Sequence, residues 1–207
     1  MKLIEADRDT LLKPLQTVTG IVERRHTLPI LSNVLIERKQ ENISFIATDL
    51  EIQITTSATD GGKTDEEYSV TVAAKKPQDI LRALPEKVQV TLETGDNRLQ
   101  AKAGKSRFNL QTLPAEDFPK FPEGNEPQGT ISVQQKELKH LLSMVQYAMA
   151  HQDIRYYLNG LLLLLENNQL KVVATDGHRL AFALMMLETP LERKEVILPR
   201  KVVLELS

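Results

Sequence analysis

Two stretches of this chain repeat one design. Residues 31–52 read LSNVLIERKQENISFIATDLEI and residues 157–180 read YLNGLLLLLENNQLKVVATDGHRL. Ala47-Thr48-Asp49 matches Ala174-Thr175-Asp176 at an offset of 127, and Asn33 matches Asn159 at 126. Upstream, Leu12, Leu15 and Val18 match Leu138, Leu141 and Met144 at 126; downstream, Lys75-Lys76 and Leu81 match Arg200-Lys201 and Leu206 at 125. The offset drifts one residue at a time, as single-residue loop changes would cause. Identity is low, but the order of helix, strand, strand and helix signals is kept, which marks a structural repeat.

Each copy opens with an amphipathic helix. Over 7–25, Leu11, Leu12, Leu15, Val18, Ile21 and Val22 fall at helical spacing, with Asp7 or Asp9 as a cap. Pro14 conflicts with that helix unless it lies in the first turn or bends it. Over 133–150 the stripe is Leu138, Leu141, Leu142, Val145 and Met149. Short apolar strands are expected at Ile43 to Ala47 and Leu170 to Ala174. Val88 to Leu92 alternates, turns at Gly95-Asp96-Asn97 into Leu99 to Ala103, then turns at Gly104-Lys105 into Arg107 to Thr112. Shorter helices start near Lys75 and near Pro199, where proline suits a first helical position. Residues 113–128 carry Pro114, Pro119, Pro122 and Pro127 with Gly124, which predicts an irregular linker and a domain boundary. The first copy continues about forty residues past its second helix. The second stops inside its own, so the expectation is a piece of a longer protein.

The pairing of Asp176 with His178 beside Gly177 invites a catalytic reading, a hydrolase. Such a site needs a nucleophile or a metal as well, and the chain has no G-x-S-x-G elbow and no cysteine. The first copy keeps Thr48-Asp49 and replaces Gly-His-Arg with Leu50-Glu51-Ile52. The shared Thr-Asp therefore reads as a turn whose carboxylate accepts nearby backbone N–H groups. Gly177-His178-Arg179 remains open between catalysis, a binding surface and plain structure. His26, His140, His151 and His178 are scattered, with no metal-binding spacing. In DGGKTDEE, residues 60–67, the phosphate-loop pattern fails because Ser57 stands where its first glycine belongs, so a surface loop is expected.

With 26 Lys and Arg against 28 Asp and Glu, net charge gives no hint of a nucleic-acid partner. Distribution gives more. The four expected helices, taken as 7–25, 75–83, 133–150 and 199–207, hold 11 basic and 6 acidic residues, while the remainder holds 15 and 22. Basic helices on an acidic body can set one positive surface against phosphates, or can be ordinary solvated helices. In HQDIRYYLNG, Gln152, Arg155, Tyr156 and Tyr157 place polar, cationic and aromatic groups on one loop, able to meet phosphates or stack on bases. The alternative is that both tyrosines are half-buried between sheet and helix. The longest apolar run, Leu161 to Leu165, is far below the roughly 20 residues that span a bilayer. The N-terminus shows no signal-peptide pattern, and the lack of cysteine fits a cytoplasmic location.

TLPIL (27–31), TLPAEDFP (112–119), MAHQDIRYYLNG (149–160), VATDGHRLA (173–181) and LPRK (198–201) together resemble the bacterial sliding clamp family, the beta subunit of the replicative DNA polymerase III. The likeness runs from Met1 to Ser207. It implies an α+β DNA-clamp fold of tandem domains, each with antiparallel sheets outside and two helices inside. Domain I would be 1–125 and domain II 126–207, with the end of domain II and a third domain lacking. It implies a non-enzymatic processivity factor without cofactors, a homodimeric ring around duplex DNA. The ring would dock the catalytic subunit of DNA polymerase III, the clamp loader and repair proteins. The resemblance assigns DNA contact to Arg24, Arg25, Gln152, Tyr156 and Tyr157, with Lys75, Lys76, Arg200 and Lys201 starting helices toward the hole. It assigns a peptide pocket to Leu158, Thr175, Gly177, His178, Arg179 and Leu180, where Gly177 would leave room for a ligand. It assigns the dimer interface to Lys76, Phe108 and Leu110.

Overall fold

The computed structural model describes residues 2–22, 28–59, 67–95, 97–122 and 130–207. The chain divides into two units, Met1–Glu123 and Gly124–Ser207. Arg24 and Arg25 lie outside the described residues, as do 60–66 of the glycine-rich loop and 123–128 of the proline-rich run.

Unit 1 runs β1 (Lys2–Asp7), α1 (Arg8–Thr19), β2 (Asn33–Lys39), β3 (Asn42–Thr48), β4 (Gln53–Thr59), β5 (Tyr68–Ala73), α2 (Lys75–Ala83), β6 (Gln89–Gly95), β7 (Arg98–Ala103) and β8 (Ser106–Leu113). The strands form one antiparallel sheet in the order β1-β6-β7-β8-β5-β2-β3-β4. Among the described residues, the backbone ladder joins its two four-stranded halves where Thr71 and Val72 pair with Leu113 and Thr112. Thr71 is fully buried at that corner. Its hydroxyl donates to the Leu113 carbonyl at 2.7 Å and accepts from the Leu113 amide at 3.2 Å. The Asn33 side-chain amide adds a third bond to it at 3.2 Å. A buried hydroxyl must be satisfied, and here its bonds join the half-sheets.

The α1 stripe does bury Leu11, Leu12, Leu15 and Val18, but the helix ends at Thr19 rather than 25. Gly20 follows directly, and glycine is a poor helix former. Pro14 sits inside the helix, beyond the first turn. Its carbonyl accepts from the Thr56 hydroxyl of β4 at 3.1 Å, so the helix is tied to the sheet at its proline.

Unit 2 runs α3 (Gln135–Ser143), β9 (Gly160–Thr175), β10 (Leu180–Pro199) and α4 (Arg200–Leu206). The expected 133–150 helix is shorter, because the bonding tightens after Ser143. Val145 donates to Leu142 and Ala148 to Val145, three residues back, and Gln146–Ala148 is a single 3₁₀ turn. Leu141, Leu142, Val145, Met149, Leu161, Leu170, Val172 and Val203 make the core. Pro199 ends β10 and caps α4 rather than lying within it.

The repeat reappears in the pairing. In unit 1, β2 pairs β5 from Asn33↔Ala73 and β3 pairs β4 to Thr48↔Gln53. In unit 2, Gly160 pairs with Pro199 and Thr175 with Leu180, with register breaks between Met186 and Lys194. Gln40, in the β2–β3 turn, has φ +55°, and Asn167, at the break in β9, has φ +57°. The second helix is anchored alike in both units: Ala74 N–H donates to Ser32 C=O, and Arg200 N–H to Asn159 C=O, each at 3.0 Å. Residues 130–134, which stand where β1 stands in unit 1, form no strand.

The run expected as an irregular linker is in part structural. β8 extends to Leu113, and Ala115–Asp117 make a 3₁₀ turn that delivers Phe118, 5% exposed, against Leu35 and Ile46. Lys120 pairs with Glu37 at 2.5 Å, and the Phe121 amide donates to Gln53 Oε1 at 2.8 Å. Residues 114–121 thus strap the sheet of unit 1, holding their place by side-chain contacts that a proline count does not reveal.

Candidate functional site

The β9–β10 connection is built by its own side chains. Thr175 Oγ1 donates to the Arg179 carbonyl at 2.7 Å and accepts from the Gly177 amide at 3.1 Å. Asp176 Oδ1 accepts from the amides of His178 and Arg179, each at 3.0 Å, and Oδ2 from Arg179 Nε at 3.0 Å. Those amide bonds, above all from His178, hold the Asp176 carboxyl below its ordinary value. The β3–β4 turn has the same wiring. Thr48 Oγ1 donates to Ile52 C=O and accepts from Leu50 N–H, and Asp49 Oδ1 accepts from the amides of Glu51 and Ile52. The Asp–His pair is therefore no catalytic dyad: Asp176 meets His178 through the backbone amide and spends its other oxygen on Arg179.

Two further segments of unit 2 converge on this turn. In the loop 151–159, Asp153 Oδ1 accepts from Arg155 N and Nε at 2.8 and 3.0 Å, and Oδ2 from Nη2 at 2.8 Å. The guanidinium beside it lowers the Asp153 carboxyl to about 2. Asn159 clasps the same residue, its side chain accepting from Asp153 N–H and donating to Asp153 C=O, both at 2.8 Å. Arg155 in turn lies across Gly177, where an added Cβ would come within 3.3 Å of Nη2. Gly177 at φ +88° thus leaves room first for Arg155, not for an outside ligand. From the other segment, Tyr147 of the 3₁₀ turn sets its ring 5.5 Å from the Arg179 guanidinium carbon.

Of the expected pocket residues, Gly177, His178, Arg179 and Leu180 are exposed and Thr175 is half-buried. Leu158 is only 7% exposed, so it supports the site from beneath rather than forming its wall. Of the expected DNA contacts, Gln152 is exposed at φ +59°, and Tyr156 and Tyr157 are 80% and 49% exposed with rings edge-on at 5.8 Å. The half-buried alternative for the tyrosines is overturned: the 3₁₀ turn Tyr156–Leu158 buries its leucine and turns the aromatics out. Lys75 and Lys76 are exposed, whereas Arg200 is half-buried with Nη1 on the Met149 carbonyl at 3.5 Å. Lys201 is half-buried too. At the expected interface, Phe108 is half-buried and Lys76 exposed, but Leu110 is 5% exposed inside unit 1. Alternation along β8 shows a shared face for Phe108 and Leu110 without showing that this face is core. Tyr147 was missed by the sequence reading; the signal was its register, since its counterpart at 126 is Ile21 and that of Arg179 at 127 is Ile52.

The family model described as "DNA polymerase III beta subunit, N-terminal domain" matches residues 1–122, and the one described as "central domain" matches 132–207. The chain is 45% identical over 203 residues to the beta sliding clamp of Pseudomonas putida, covering 97% of this chain and 54% of that protein. The beta sliding clamp of Escherichia coli K12 is 42% identical over 200 residues, with the same coverage. A crystal structure of the Pseudomonas aeruginosa DNA polymerase III subunit beta superposes with TM-score 0.93 at 44% identity, covering 100% of this chain and 56% of that one. The structure of a Pseudomonas aeruginosa sliding clamp bound to griselimycin gives TM-score 0.90 at 43% identity, covering 99% and 55%. The chain thus spans about half the length of the curated relatives it matches. By both domain matches and by fold, it belongs to the DNA polymerase III beta subunit family, the bacterial beta sliding clamps.

Proposed function

We propose that this chain forms the first two domains of a sliding clamp, a cytoplasmic processivity factor that encircles duplex DNA and tethers the replicative polymerase without breaking a bond itself. Unit 1 serves as domain I and unit 2 as domain II. A ring needs further domain copies and a partner subunit, met in part through Lys76 and Phe108. DNA is held by enclosure, with weak, salt-sensitive contacts from Arg24, Arg25, Gln152, Tyr156 and Tyr157.

The carrying observation is the asymmetry between the two copies of one turn. Both keep the Thr-Asp wiring, but only the second replaces Leu50-Glu51-Ile52 with the exposed Gly177-His178-Arg179, next to exposed Leu180. An exposed glycine, histidine, arginine and leucine on a braced turn make an apolar contact with a polar rim, suited to a short peptide. Thr175, with Leu158 beneath, completes the wall. Its occupants are segments of the polymerase III catalytic subunit, the clamp loader and repair proteins, and griselimycin binds there as well. The test replaces His178 and Leu180 with alanine in the whole protein. Polymerase, clamp-loader and griselimycin binding should fall by roughly tenfold or more while circular dichroism shows the fold intact; unchanged binding would remove the peptide wall from the account.

A further inference from the structure

Tyr147 belongs to no part of the wall just proposed, yet it is 57% exposed on the 3₁₀ turn and lies under the Arg179 guanidinium. Arg179 is held from two sides. Asp176 Oδ2 fixes Nε at 3.0 Å, and the ring centroid lies 5.5 Å from the guanidinium carbon, within cation–π range. A long arginine left loose loses rotamer freedom on binding, whereas one already flattened between a carboxylate and a ring does not. The repeat supplies the control: at the same two places the first copy has Ile21 and Ile52, both buried. Both members of the pair occur together in the second copy, and both are lacking from the first.

We infer that Tyr147 is a positioning residue of the peptide wall, presetting the Arg179 guanidinium so that its remaining N–H groups meet a carbonyl or carboxylate of the bound peptide. The inference rests on the peptide-wall reading, and its test separates the two. Griselimycin is titrated against the full chain, Tyr147→Phe, Tyr147→Leu, Arg179→Ala and the Tyr147→Leu/Arg179→Ala double variant, with circular dichroism confirming equal folding. Tyr147→Phe, which keeps the ring, should bind as the parent does. Tyr147→Leu should bind roughly two- to fivefold more weakly, and should cost nothing further once Arg179 is alanine. Parent-like binding by Tyr147→Leu, or an undiminished loss in the Arg179→Ala background, overturns the inference. Should the parent itself not bind griselimycin, the peptide-wall reading fails and a ligand-free readout still decides the role of Tyr147. The Arg179 Hε resonance should be ring-shifted in the parent and Tyr147→Phe, and lose that shift in Tyr147→Leu. An identical resonance in all three contradicts the arrangement.

Discussion

Leu50 and Gly177 occupy the same place in two copies of one turn, each with positive φ, +75° and +88°, and each donating its amide to the threonine two residues back. The wiring of Thr48-Asp49 and Thr175-Asp176 is strong enough to force leucine into a left-handed conformation that costs roughly 1–2 kcal/mol. Leu50→Gly relieves that strain and removes a side chain that is 48% exposed. It should stabilise unit 1 by about 0.5 kcal/mol after glycine's extra unfolded entropy is subtracted. Gly177→Ala should do the opposite by about 1 kcal/mol, adding a Cβ beside the Arg155 guanidinium. Urea unfolding of the two variants reads both signs.

Asp49 is 7% exposed, and its Oδ1 accepts from two backbone amides of the turn. Asp49→Ala strands those donors and should cost about 2 kcal/mol. Asp49→Asn keeps an acceptor oxygen and should recover more than half of the loss. Denaturant midpoints at one pH give both numbers.

Asp153 and Asp176 have carboxyls lowered by bonds made in the folded state, from Arg155 and from the amides of His178 and Arg179. A depressed acid stabilises the fold above its unfolded value and ceases to do so as pH falls through the folded one. For Asp153 that window runs from 3.8 down to about 2. Hydrogen exchange of the Arg155 amide should therefore stay slow at pH 5 and accelerate, relative to its intrinsic rate, toward pH 2. In Asp153→Asn this acid-dependent change should be absent.

Leu180, Phe182, Leu184 and Met186 stand at alternate positions of β10 and are 65, 54, 43 and 56% exposed. Their counterparts on β4 are Gln53, Thr55, Ser57 and Thr59. The strand position tolerates polar residues, so Phe182→Thr with Leu184→Ser should leave the melting temperature within about 2 °C. It should also reduce self-association in light scattering, since an exposed apolar strand invites pairing. A large loss of stability would mean that these side chains hold unit 2 together.

The turn, the repeat and the helix stripes were legible because each is local: a Thr-Asp pair, a fixed offset, a three-and-four spacing. Long-range features were not. Phe118 is surrounded by prolines that signal irregular chain, yet it fills a notch made by Leu35 and Ile46, residues far away in sequence. β10 runs through LETPLERK, where the sequence nominated no strand, because its pairing with β9 resumes beyond the break at Lys194↔Leu165. At the site, alternation and resemblance could nominate Leu110 and Leu158 but not say that both are buried in their own units. Tyr147 and Arg179 are 32 residues apart in sequence, and no spacing rule joins them.

The most direct measurement of the central claim loads the whole protein onto a nicked circular plasmid and then cuts the plasmid once. Enclosure predicts that the protein is retained on the circle at high salt and slides off the linear form. Equal retention on circular and linear DNA would contradict it, since only direct chemical contact survives a free DNA end.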